Sequence, residues 1–427
     1  KYRKHLGLTC GESILFSTKS SFLMFFSYLC SMATLNKKKI INDPVYGFIN
    51  IPNEDLFDLI QTSEIQRLRR IKQLGLSNLV YPGAEHTRFA HSLGAMHLMC
   101  EALDVLRQKN VEISSEEYTS ALSAILFHDS GHSPFSHCLE HVFFSSSHEE
   151  VSLELMKKNS LSSVAIDIFS DSYPRKFLHQ LVSSQVDTDR LDYLTRDSFF
   201  TGVSEGIIGT ERILKMFNVE NNELVIDQKG IYSIEKFIIS RRLMYWQVYM
   251  HKTVVAADNL LTKVLLRASD LQKEGKLFFE QLPLSEHLFF FLDNGAQPKE
   301  NKEALEHFLL LDDSDVWSAV KVWSKHQDKI LSTLASNLIN RKLGKIIIKD
   351  SPFTWQEIKT ICKYTSEEEI RYFTNSDELH NKAYNFKDTK INILFKDGSL
   401  KEICDASDQL DSSFLSKEIK KYFYYQI

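Results

Sequence analysis

The amino-acid sequence predicts a mostly α-helical protein. Apolar residues recur at spacings of three and four in "SLGAMHLMCEALDVL" (92–106) and "EEYTSALSAILFHD" (116–129), which is the period of a helix with an apolar face. Segments with the alternating pattern of a β-strand are few by comparison. The chain also has only 8 prolines, and proline is the residue that interrupts helices most strongly. We therefore expect a helical core with a small mixed α/β portion.

Two segments predict β-hairpins within this helical pattern. "ELVID" and "IYSI" flank residues 228–230 and predict a hairpin there, while "KINILFKDGSL" (390–400) alternates around a Lys-Asp-Gly turn. Between them, one long helix is predicted from about 233 to about 272. The charged region 273–385 carries no motif and is helical in pattern.

Three parts of the chain are distinguished. Residues 1–36 form an N-terminal extension, and residues 1–31 are expected not to be native, because "MATLNKKKIINDP" from Met32 is typical of a natural start. Residues 37–270 are predicted to form a helical domain that holds the functional site. Residues 271–427 are predicted to form a helical and mixed α/β C-terminal lobe.

Composition restricts the class of protein. The net charge of -5 gives no general reason to expect nucleic-acid binding, although a local basic groove would be compatible with it. The 6 cysteines form no Cys-x-x-Cys pair, which favours reduced thiols and argues against a thiolate zinc site. The apolar run in "SFLMFFSYLCSMA" (21–33) is too short to span a bilayer. We therefore expect a cytoplasmic protein without a membrane segment.

Histidine is concentrated in one part of the sequence. Eight of the 15 histidines fall within residues 86–148, where a uniform spread would place about two. They are His86, His91, His97, His128, His132, His137, His141 and His148. Imidazole combined with carboxylates suits a divalent metal ion such as Mn, Fe, Zn or Mg. The concentration therefore predicts a metal site, and the sequence does not identify the metal.

Candidate ligands occur on three predicted helices. His128 and Asp129 are adjacent at the end of one apolar helix, and His91 stands at the start of another. A third helix, "VDTDRLDYLTRD" (186–197), carries four aspartates, which are Asp187, Asp189, Asp192 and Asp197. Asp189 and Asp192 are three residues apart and share a helix face, so spacing does not choose between them.

These motifs together resemble a known family. "RFAHSLG", "HDSGHSPFSH", "HEE" (148–150) and "DTDRLDYLTRD" resemble, in order and spacing, the H…HD…D pattern of HD-domain phosphohydrolases. More narrowly, they are similar to the deoxynucleoside triphosphate (dNTP) triphosphohydrolases, including dGTPase-like members. The resemblance runs from "INDPVYGFI" at 41 to "YMHKTVV" at 249. It implies an HD-type helical core, a divalent metal ion, and hydrolysis of dNTPs at the α-phosphate to deoxynucleoside and inorganic triphosphate.

The resemblance also implies roles for individual residues. The implied metal ligands are His91, His128, Asp129 and Asp189. The implied catalytic residues, three histidines that line the scissile phosphate and a carboxylate that orients one of them, are His132, His137, His148 and Glu140. Imidazoles titrate near neutral pH and suit proton transfer, but the sequence does not show which of them is the acid and which the base.

Substrate contacts are implied for a further set of residues. They are Gln73, Leu74, Arg88, Arg190, Tyr193, Asp197, Arg241 and Tyr249. A triphosphate requires several fixed cations, for which arginine is well suited. In the family, the tyrosine at 193 fills the space of a ribose 2'-hydroxyl, and Asp197 and Gln73 receive the 3'-hydroxyl. Arg241, Tyr245, Tyr249 and Lys252 are also predicted to follow one stripe of the long helix.

A regulatory nucleotide site is implied as well. Lys39, Asn42, Gln66 and Arg69 match parts of the family's activating site, whereas Gln61 stands where vertebrate members have the aspartate that reads guanine. The family's assembly behaviour implies a homo-dimer or homo-tetramer. Two alternative functions stay open: an HD-domain phosphohydrolase for another nucleotide or phosphate ester, and a catalytically silent nucleotide sensor or nucleic-acid binder.

Overall fold

The computed structural model describes residues 39–135, 142, 146–277, 285–294, 297–299, 301–382, 384, 390–410 and 418–427. The predicted N-terminal extension, His137 and Glu140 lie outside these residues.

The described part of the chain is mostly helical, which confirms the predicted fold class. In chain order, the α-helices are α1 (Glu54–Gln61), α2 (Ser63–Arg67), α3 (Arg88–Gln108), α4 (Ser115–Phe127), α5 (His148–Lys158), α6 (Ser163–Phe169), α7 (Lys176–Val182), α8 (Thr188–Thr201), α9 (Thr210–Met216), α10 (Ile231–Met244), α11 (Lys252–Lys273), α12 (Glu286–Asn294), α13 (Lys302–Leu310), α14 (Asp313–Trp323), α15 (Lys329–Ile339), α16 (Trp355–Ile361), α17 (Glu367–Phe373) and α18 (Ile403–Ala406).

The strands form three small sheets. They are β1 (Ile40–Asp43), β2 (Gly47–Asn50), β3 (Phe217–Glu220), β4 (Glu223–Asp227), β5 (Lys345–Lys349), β6 (Thr374–Lys382), β7 (Asn392–Leu394), β8 (Leu400–Glu402) and β9 (Glu418–Gln426). β1 and β2 form an antiparallel hairpin, the second sheet has the order β3-β4-β7-β8, and the third has the order β5-β9-β6. In the second sheet β4 and β7 are parallel, and the other neighbours are antiparallel.

One predicted hairpin is wrong and the other is confirmed. β4 pairs with the preceding strand β3 through Asn221 and Asn222, both at positive φ, a conformation that asparagine tolerates better than most residues. The predicted partner, "IYSI", instead begins α10 after a short 3-10 turn. The hairpin at 390–400 forms as predicted, with Leu394 opposite Leu400 and Gly398 at positive φ.

The predicted long helix from 233 to 272 is interrupted. α10 ends at Met244, Tyr245–Tyr249 form a π-helical turn, and α11 begins only after His251, whose Nδ1 accepts a hydrogen bond from the backbone N–H of Thr253. The predicted single stripe of Arg241, Tyr245, Tyr249 and Lys252 is therefore wrong, since a wider turn and a break separate its members. Lys252 is exposed.

Two strands were also missed in the region 273–385. β5 and β6 each pair with β9 near the end of the described chain, with Lys345 and Thr374 both opposite Gln426. The helical prediction for this region is wrong at these two segments, because short apolar runs such as "KIIIK" do not distinguish a strand from a helix turn.

Two apolar cores hold the helices together. The first contains α3, α4 and α8 side chains, such as Met99, Leu122 and Leu191. The second contains most of the C-terminal lobe and the buried face of α11, for example Leu260 and Leu265. Since α11 packs with the lobe, we propose that the boundary between the two units lies near 250 rather than at 270.

The start of α14 joins the lobe to the rest of the protein. The carboxylate of Asp313 accepts hydrogen bonds from the backbone N–H groups of Lys72 (3.0 Å) and Phe135 (3.1 Å). The buried guanidinium of Arg67 donates to the carbonyl oxygens of Leu311 (3.2 Å) and His132 (2.9 Å). These hydrogen bonds connect the segment 132–135 to Arg67 of α2 and to Asp313 at the start of α14.

Asp313 should make the stability of the protein depend on pH. Burial raises the pKa of its carboxyl from 3.8 to about 6, although the two backbone N–H groups oppose the rise. The folded state thus binds this proton more tightly than the unfolded state, and the resulting stability is lost as pH rises through about 6. Relative to Asp313→Asn, the wild type should lose about 2 kcal/mol of unfolding free energy between pH 4 and pH 7, because each unit of pKa shift corresponds to about 1.4 kcal/mol and part of the loss already occurs below pH 4.

Urea unfolding of both proteins across this pH range measures the difference. Asp350→Asn, which changes an exposed aspartate, should follow the wild type in parallel. A constant difference between the wild type and Asp313→Asn across the range would contradict the expectation.

Candidate active site

Three helix ends meet at one point. α3 begins at Arg88, which places His91 in its first turn, and α8 begins at Thr188, which places Asp189 in its first turn. α4 ends at Phe127, so that His128 and Asp129 follow directly.

The four ligands expected from the sequence come together here. His91 Nε2 lies 3.3 Å from His128 Nε2 and 3.1 Å from Asp189 Oδ1. Asp189 Oδ1 is 3.4 Å from His128 Nε2, and a carboxylate oxygen of Asp129 is 3.3 Å from the same nitrogen. Both histidines and Asp129 are buried. Two imidazole nitrogens and two carboxylates thus share one small volume.

The outward nitrogens of the two imidazoles show that this donor set fits a cation. His91 Nδ1 lies 2.7 Å from a carboxylate oxygen of Asp192, and His128 Nδ1 lies 2.6 Å from the carbonyl oxygen of Ile125. Both partners are acceptors, so each Nδ1 carries a hydrogen, and each Nε2 presents a lone pair whenever its ring is neutral, as it is in a metal complex. Lone pairs that face two carboxylates need a positive charge between them, as in histidine-carboxylate metal sites.

Asp189 and Asp192, which spacing alone did not separate, take different positions. Asp192 is fully buried and forms a two-pronged ion pair with Arg196 (2.9 and 3.0 Å). A third nitrogen of Arg196 donates to Asp43 on β1 (2.8 Å). Asp192 therefore orients the ring of His91, and Asp189 faces the cluster. Gly94 leaves room for this pair, because a Cβ there would collide with both Asp192 and Arg196.

The electrostatics of the cluster favour positive charge at its centre. Burial lowers the pKa of His91, but hydrogen bonds to Asp189 and Asp192 outweigh burial and raise it to about 10. Burial raises the pKa of Asp189, yet hydrogen bonds and charge from His128 and His91 hold it well below its usual range. The site thus retains its carboxylates as anions at neutral pH.

Two of the expected catalytic histidines lie beside this cluster. His132 and His148 are stacked, with ring centroids 3.9 Å apart and planes inclined by 15°. His132 Nε2 is 3.5 Å from Asp129 Oδ1, and Asp129, His132 and His148 form a second group of converging ligand atoms. His148 is the first residue of α5, which is capped by Ser147.

Gly131 allows the two chain segments to meet. Its N–H donates to the hydroxyl of Ser152 (2.9 Å), which in turn donates to the carbonyl of His128 (2.8 Å). A Cβ on Gly131 would collide with the backbone of His148 and Ser152. This close approach places His148 against the end of α4, and the glycine in "HDSGH" is the sequence signal for it.

The arginines expected to contact the triphosphate form hydrogen bonds and ion pairs with nearby acceptors. Arg88 forms an ion pair with Asp129. Arg190 donates to Ser184 O (2.6 Å) and to Asp187 (3.0 Å), the residue that caps α8. Burial and Tyr245 raise the pKa of Tyr193, and the charges of Arg190 and Arg241 oppose the rise. Both of these arginines therefore lie on the same side of the site as Tyr193.

The expected sugar contacts form a compact group. Tyr249 donates to Asp197 Oδ2 (2.8 Å), and Asp197 is buried. The ring of Tyr249 meets the ring of Tyr193 edge-on at 6.2 Å. Gln73 Oε1 is buried without a hydrogen-bond partner among the described residues. Leu74, the next residue, packs against the first core.

The expected regulatory residues lie on β1 and the end of α2. Lys39 precedes β1, is ion-paired to Glu54 (3.3 Å) and stacks over Phe57. Asn42 lies on β1. The structure brings Gln66 and Arg69 together, since Arg69 Nε donates to Gln66 Oε1 (2.8 Å).

Several residues of the site were missed at the sequence level. Arg196 donates to both Asp192 and Asp43, and His86 lies next to Asp197, with Nε2 2.7 Å from Oδ1. His179 lines a cavity of about 410 Å³ together with His128, Asp129, His148 and Asp189. The spacing of four between Asp192 and Arg196 is the one signal that could have revealed a helix ion pair.

Fold and donor set together define a metal-binding hydrolase of the HD-domain type. Residues 208–281 match the family described as HD associated region. The chain is 32% identical over 413 residues to the uncharacterized protein YwfO of Bacillus subtilis, covering 92% of this chain and 93% of the relative. A crystal structure of a phosphohydrolase from Bacteroides thetaiotaomicron is 49% identical, with a TM-score of 0.87 over 92% of this chain and 100% of that chain.

Triphosphohydrolases are among the relatives. The human deoxynucleoside triphosphate triphosphohydrolase SAMHD1 is 28% identical over 282 residues, which cover 54% of this chain and 45% of the relative. The match thus spans about half of that longer protein. The chain belongs to the HD-domain phosphohydrolases of the dNTP triphosphohydrolase-like family, which confirms the resemblance seen in its motifs. No helix within the described residues is long and apolar enough to cross a membrane.

Asp192 should control metal affinity without contacting the metal. In Asp192→Asn, the amide cannot accept from both His91 and Arg196 as the carboxylate does, so the His91 ring loses its fixed orientation. Loss of such an outer partner weakens metal binding by about 10- to 100-fold. Calorimetric titration of the metal-stripped protein with Mn²⁺ gives the affinity.

Asp104→Asn is the matched control, because Asp104 is an exposed aspartate on the same helix as His91. It should bind Mn²⁺ as the wild type does. Equal affinity in the wild type and Asp192→Asn would show that Asp192 does not orient the ligand.

Proposed function

We propose that the protein hydrolyses dNTPs at the α-phosphorus and releases deoxynucleoside and inorganic triphosphate. The observation that carries this proposal is the arrangement of α8, which bears Asp189 in its first turn and Tyr193 and Asp197 at intervals of four residues. Residues at this spacing lie on one helix face, and eight residues span about 12 Å. The helix thus offers a ligand cluster and a sugar-binding carboxylate at a separation suited to a bound nucleotide.

The metal ion would be held by His91, His128, Asp129 and Asp189. A divalent ion in this position supplies Lewis acidity to a phosphoryl oxygen and lowers the pKa of a bound water. The donor set fits such an ion, as the facing lone pairs show. Mixed imidazole and carboxylate ligands are compatible with Mn, Fe, Zn or Mg.

The protein's own side chains would perform the remaining tasks. His132 and His148 lie next to Asp129 and can hold or release a proton at the scissile phosphate, where the departing 5'-oxygen of the nucleoside needs one. His137 and Glu140 complete the expected catalytic set. Arg88, Arg190 and Arg241 would neutralise phosphate charge, which requires them to exchange part of their present hydrogen bonds for the substrate.

A regulatory nucleotide site is also part of the proposed function. Lys39, Asn42, Gln66 and Arg69 would bind an activating nucleotide, supported by the contact between Gln66 and Arg69. Gln61 at the end of α1 would alter the base preference of that site. A homo-dimer or homo-tetramer belongs to the same proposal.

Product analysis tests the reaction directly. Phosphorus NMR after incubation with each dNTP and with GTP, in Mn²⁺ or Mg²⁺ and in mixtures, should show inorganic triphosphate from dNTPs. His128→Ala and Asp129→Ala should lose bound metal and lower the rate by about 100-fold or more. His97→Ala, which changes a half-buried histidine of α3 outside the cluster, should retain activity.

The other possible products distinguish the alternatives. Orthophosphate without triphosphate would indicate another type of phosphohydrolase. Binding of nucleotides or oligonucleotides without turnover would indicate a sensor. Undiminished activity in a metal-free variant would contradict the proposed chemistry.

Tyr193 should determine the choice of sugar. Its ring lies beside Tyr249, which contacts Asp197, so in this proposal it occupies the space of a ribose 2'-hydroxyl. Tyr193→Ala should raise the ratio of kcat/KM for GTP over dGTP by about 10- to 100-fold, since exclusion by volume is lost. Tyr232→Ala, at an exposed tyrosine, is the control, and an unchanged ratio in Tyr193→Ala would exclude this role.

A further inference from the structure

His86 touches both residues that are expected to receive the 3'-hydroxyl. Its Nε2 lies 2.7 Å from Asp197 Oδ1, and its carbonyl oxygen accepts a hydrogen bond from the backbone N–H of Gln73 (2.9 Å). The side chains of His86 and Asp197 are 1% and 2% exposed. A single residue therefore connects the two candidate hydroxyl contacts, which lie more than a hundred positions apart in the sequence.

Within the described residues, the imidazole of His86 forms a hydrogen bond with one partner, Asp197. Asp197 can only accept as a carboxylate, so Nε2 of His86 is the donor. Nδ1 is buried and has no hydrogen-bond partner in the described part of the chain. A buried imidazole that leaves one nitrogen unsatisfied costs free energy, and the strong bond to a carboxylate offsets that cost.

Packing fixes the ring in this orientation. The imidazole is stacked on Phe200 of α8, with centroids 4.5 Å apart and an angle of 15°. The loop that carries His86 also contacts α8 through Gly83, where a Cβ would collide with the carbonyl oxygen of Phe200. Lys72 and Thr87, the residue after His86, form a β-bridge. Phe200 thus packs on the ring, and the neighbouring backbone is fixed by pairing.

Both carboxylate oxygens of Asp197 accept a hydrogen bond. Oδ1 faces His86, and Oδ2 accepts from the hydroxyl of Tyr249 (2.8 Å). Each oxygen keeps a further lone pair for a ligand hydroxyl. Gln73, whose backbone N–H donates to the His86 carbonyl, has a buried Oε1 with no partner within the described chain. Asp197 is thus held as an acceptor for a ligand hydroxyl, and Gln73 Oε1 is a second polar atom available to a ligand.

We infer that His86 is a positioning residue for recognition of the 3'-hydroxyl, an inference that rests on the proposed dNTP substrate. It fixes the rotation of the Asp197 carboxylate through Nε2 and the position of Gln73 through its carbonyl. A site built to pair with a hydroxyl rejects an analogue that lacks it, because its buried polar groups are then left unpaired. His86 thereby sets the preference for a deoxynucleotide over its 2',3'-dideoxy analogue.

Two substitutions separate this role from simple stabilisation. His86→Leu keeps much of the volume and removes the donor, whereas His86→Gln places an amide N–H near the position of Nε2. The measurement is kcat and KM for the dNTP that the wild type hydrolyses best and for its 2',3'-dideoxy analogue. His326→Asn, at a half-buried histidine of the C-terminal lobe that caps α15 through Asp328, is the control.

The inference predicts a change in the ratio of the two kcat/KM values. In His86→Leu, the preference for the dNTP should fall about tenfold or more, mainly through a higher KM, because the hydrogen bond from the 3'-hydroxyl to the Asp197 carboxylate is weakened. His86→Gln should retain most of the preference, and His326→Asn all of it. If His86→Leu does not fold, His86→Asn serves instead, because its shorter amide does not reach Asp197.

Other outcomes overturn the inference. An unchanged ratio in His86→Leu, or equal losses for both nucleotides, would show that His86 is only structural. If the wild type turns over no dNTP, the proposed reaction fails, and calorimetric binding of the same two nucleotides then gives the ratio without turnover. A wild type that does not distinguish the two nucleotides in either measurement also contradicts the inference.

Discussion

The buried ion pair between Asp192 and Arg196 is the interaction on which the site depends. Both side chains are inaccessible to solvent, as is His91, and Asp43 completes the chain of contacts from β1 through α8 to α3. Buried charges are tolerated only when each is paired, and removal of one leaves an uncompensated partner. This series of contacts thus fixes the separation of α3 and α8. It thereby also fixes the distance between His91 and Asp189.

The four aspartates at the start of and along α8 have different partners and different roles. Asp187 caps the helix, Asp189 faces His91 and His128, Asp192 turns towards Arg196, and Asp197 is held by His86 and Tyr249. Burial raises the pKa of Asp187 to about 6, while cationic partners lower those of Asp189 and Asp192. Four aspartates within eleven residues therefore differ in chemistry because each meets a different neighbour.

The helical fold, His91 and the His128-Asp129 pair could be predicted from the sequence, because periodicity and motif spacing are local properties. Spacing alone could not choose Asp189 over Asp192, since a spacing of three puts both on one face. The family resemblance implied Asp189, and in the structure Asp192 pairs with Arg196. β5 and β6 were missed because their partner β9 lies far away in the chain. The π-helical turn at Tyr245–Tyr249 has no pattern that distinguishes it from a regular helix.

The contacts at the start of α14 show whether the helical domain can be separated from the C-terminal lobe. A fragment that ended at 270 would lose the acceptors of Arg67, of the Lys72 N–H and of the Phe135 N–H, and each unsatisfied buried donor costs about 1–3 kcal/mol. The lobe is therefore not an exchangeable module attached to a self-sufficient enzyme. Its start supplies buried acceptors to the helical domain, so a fragment without the lobe lacks part of the interior of the hydrolase.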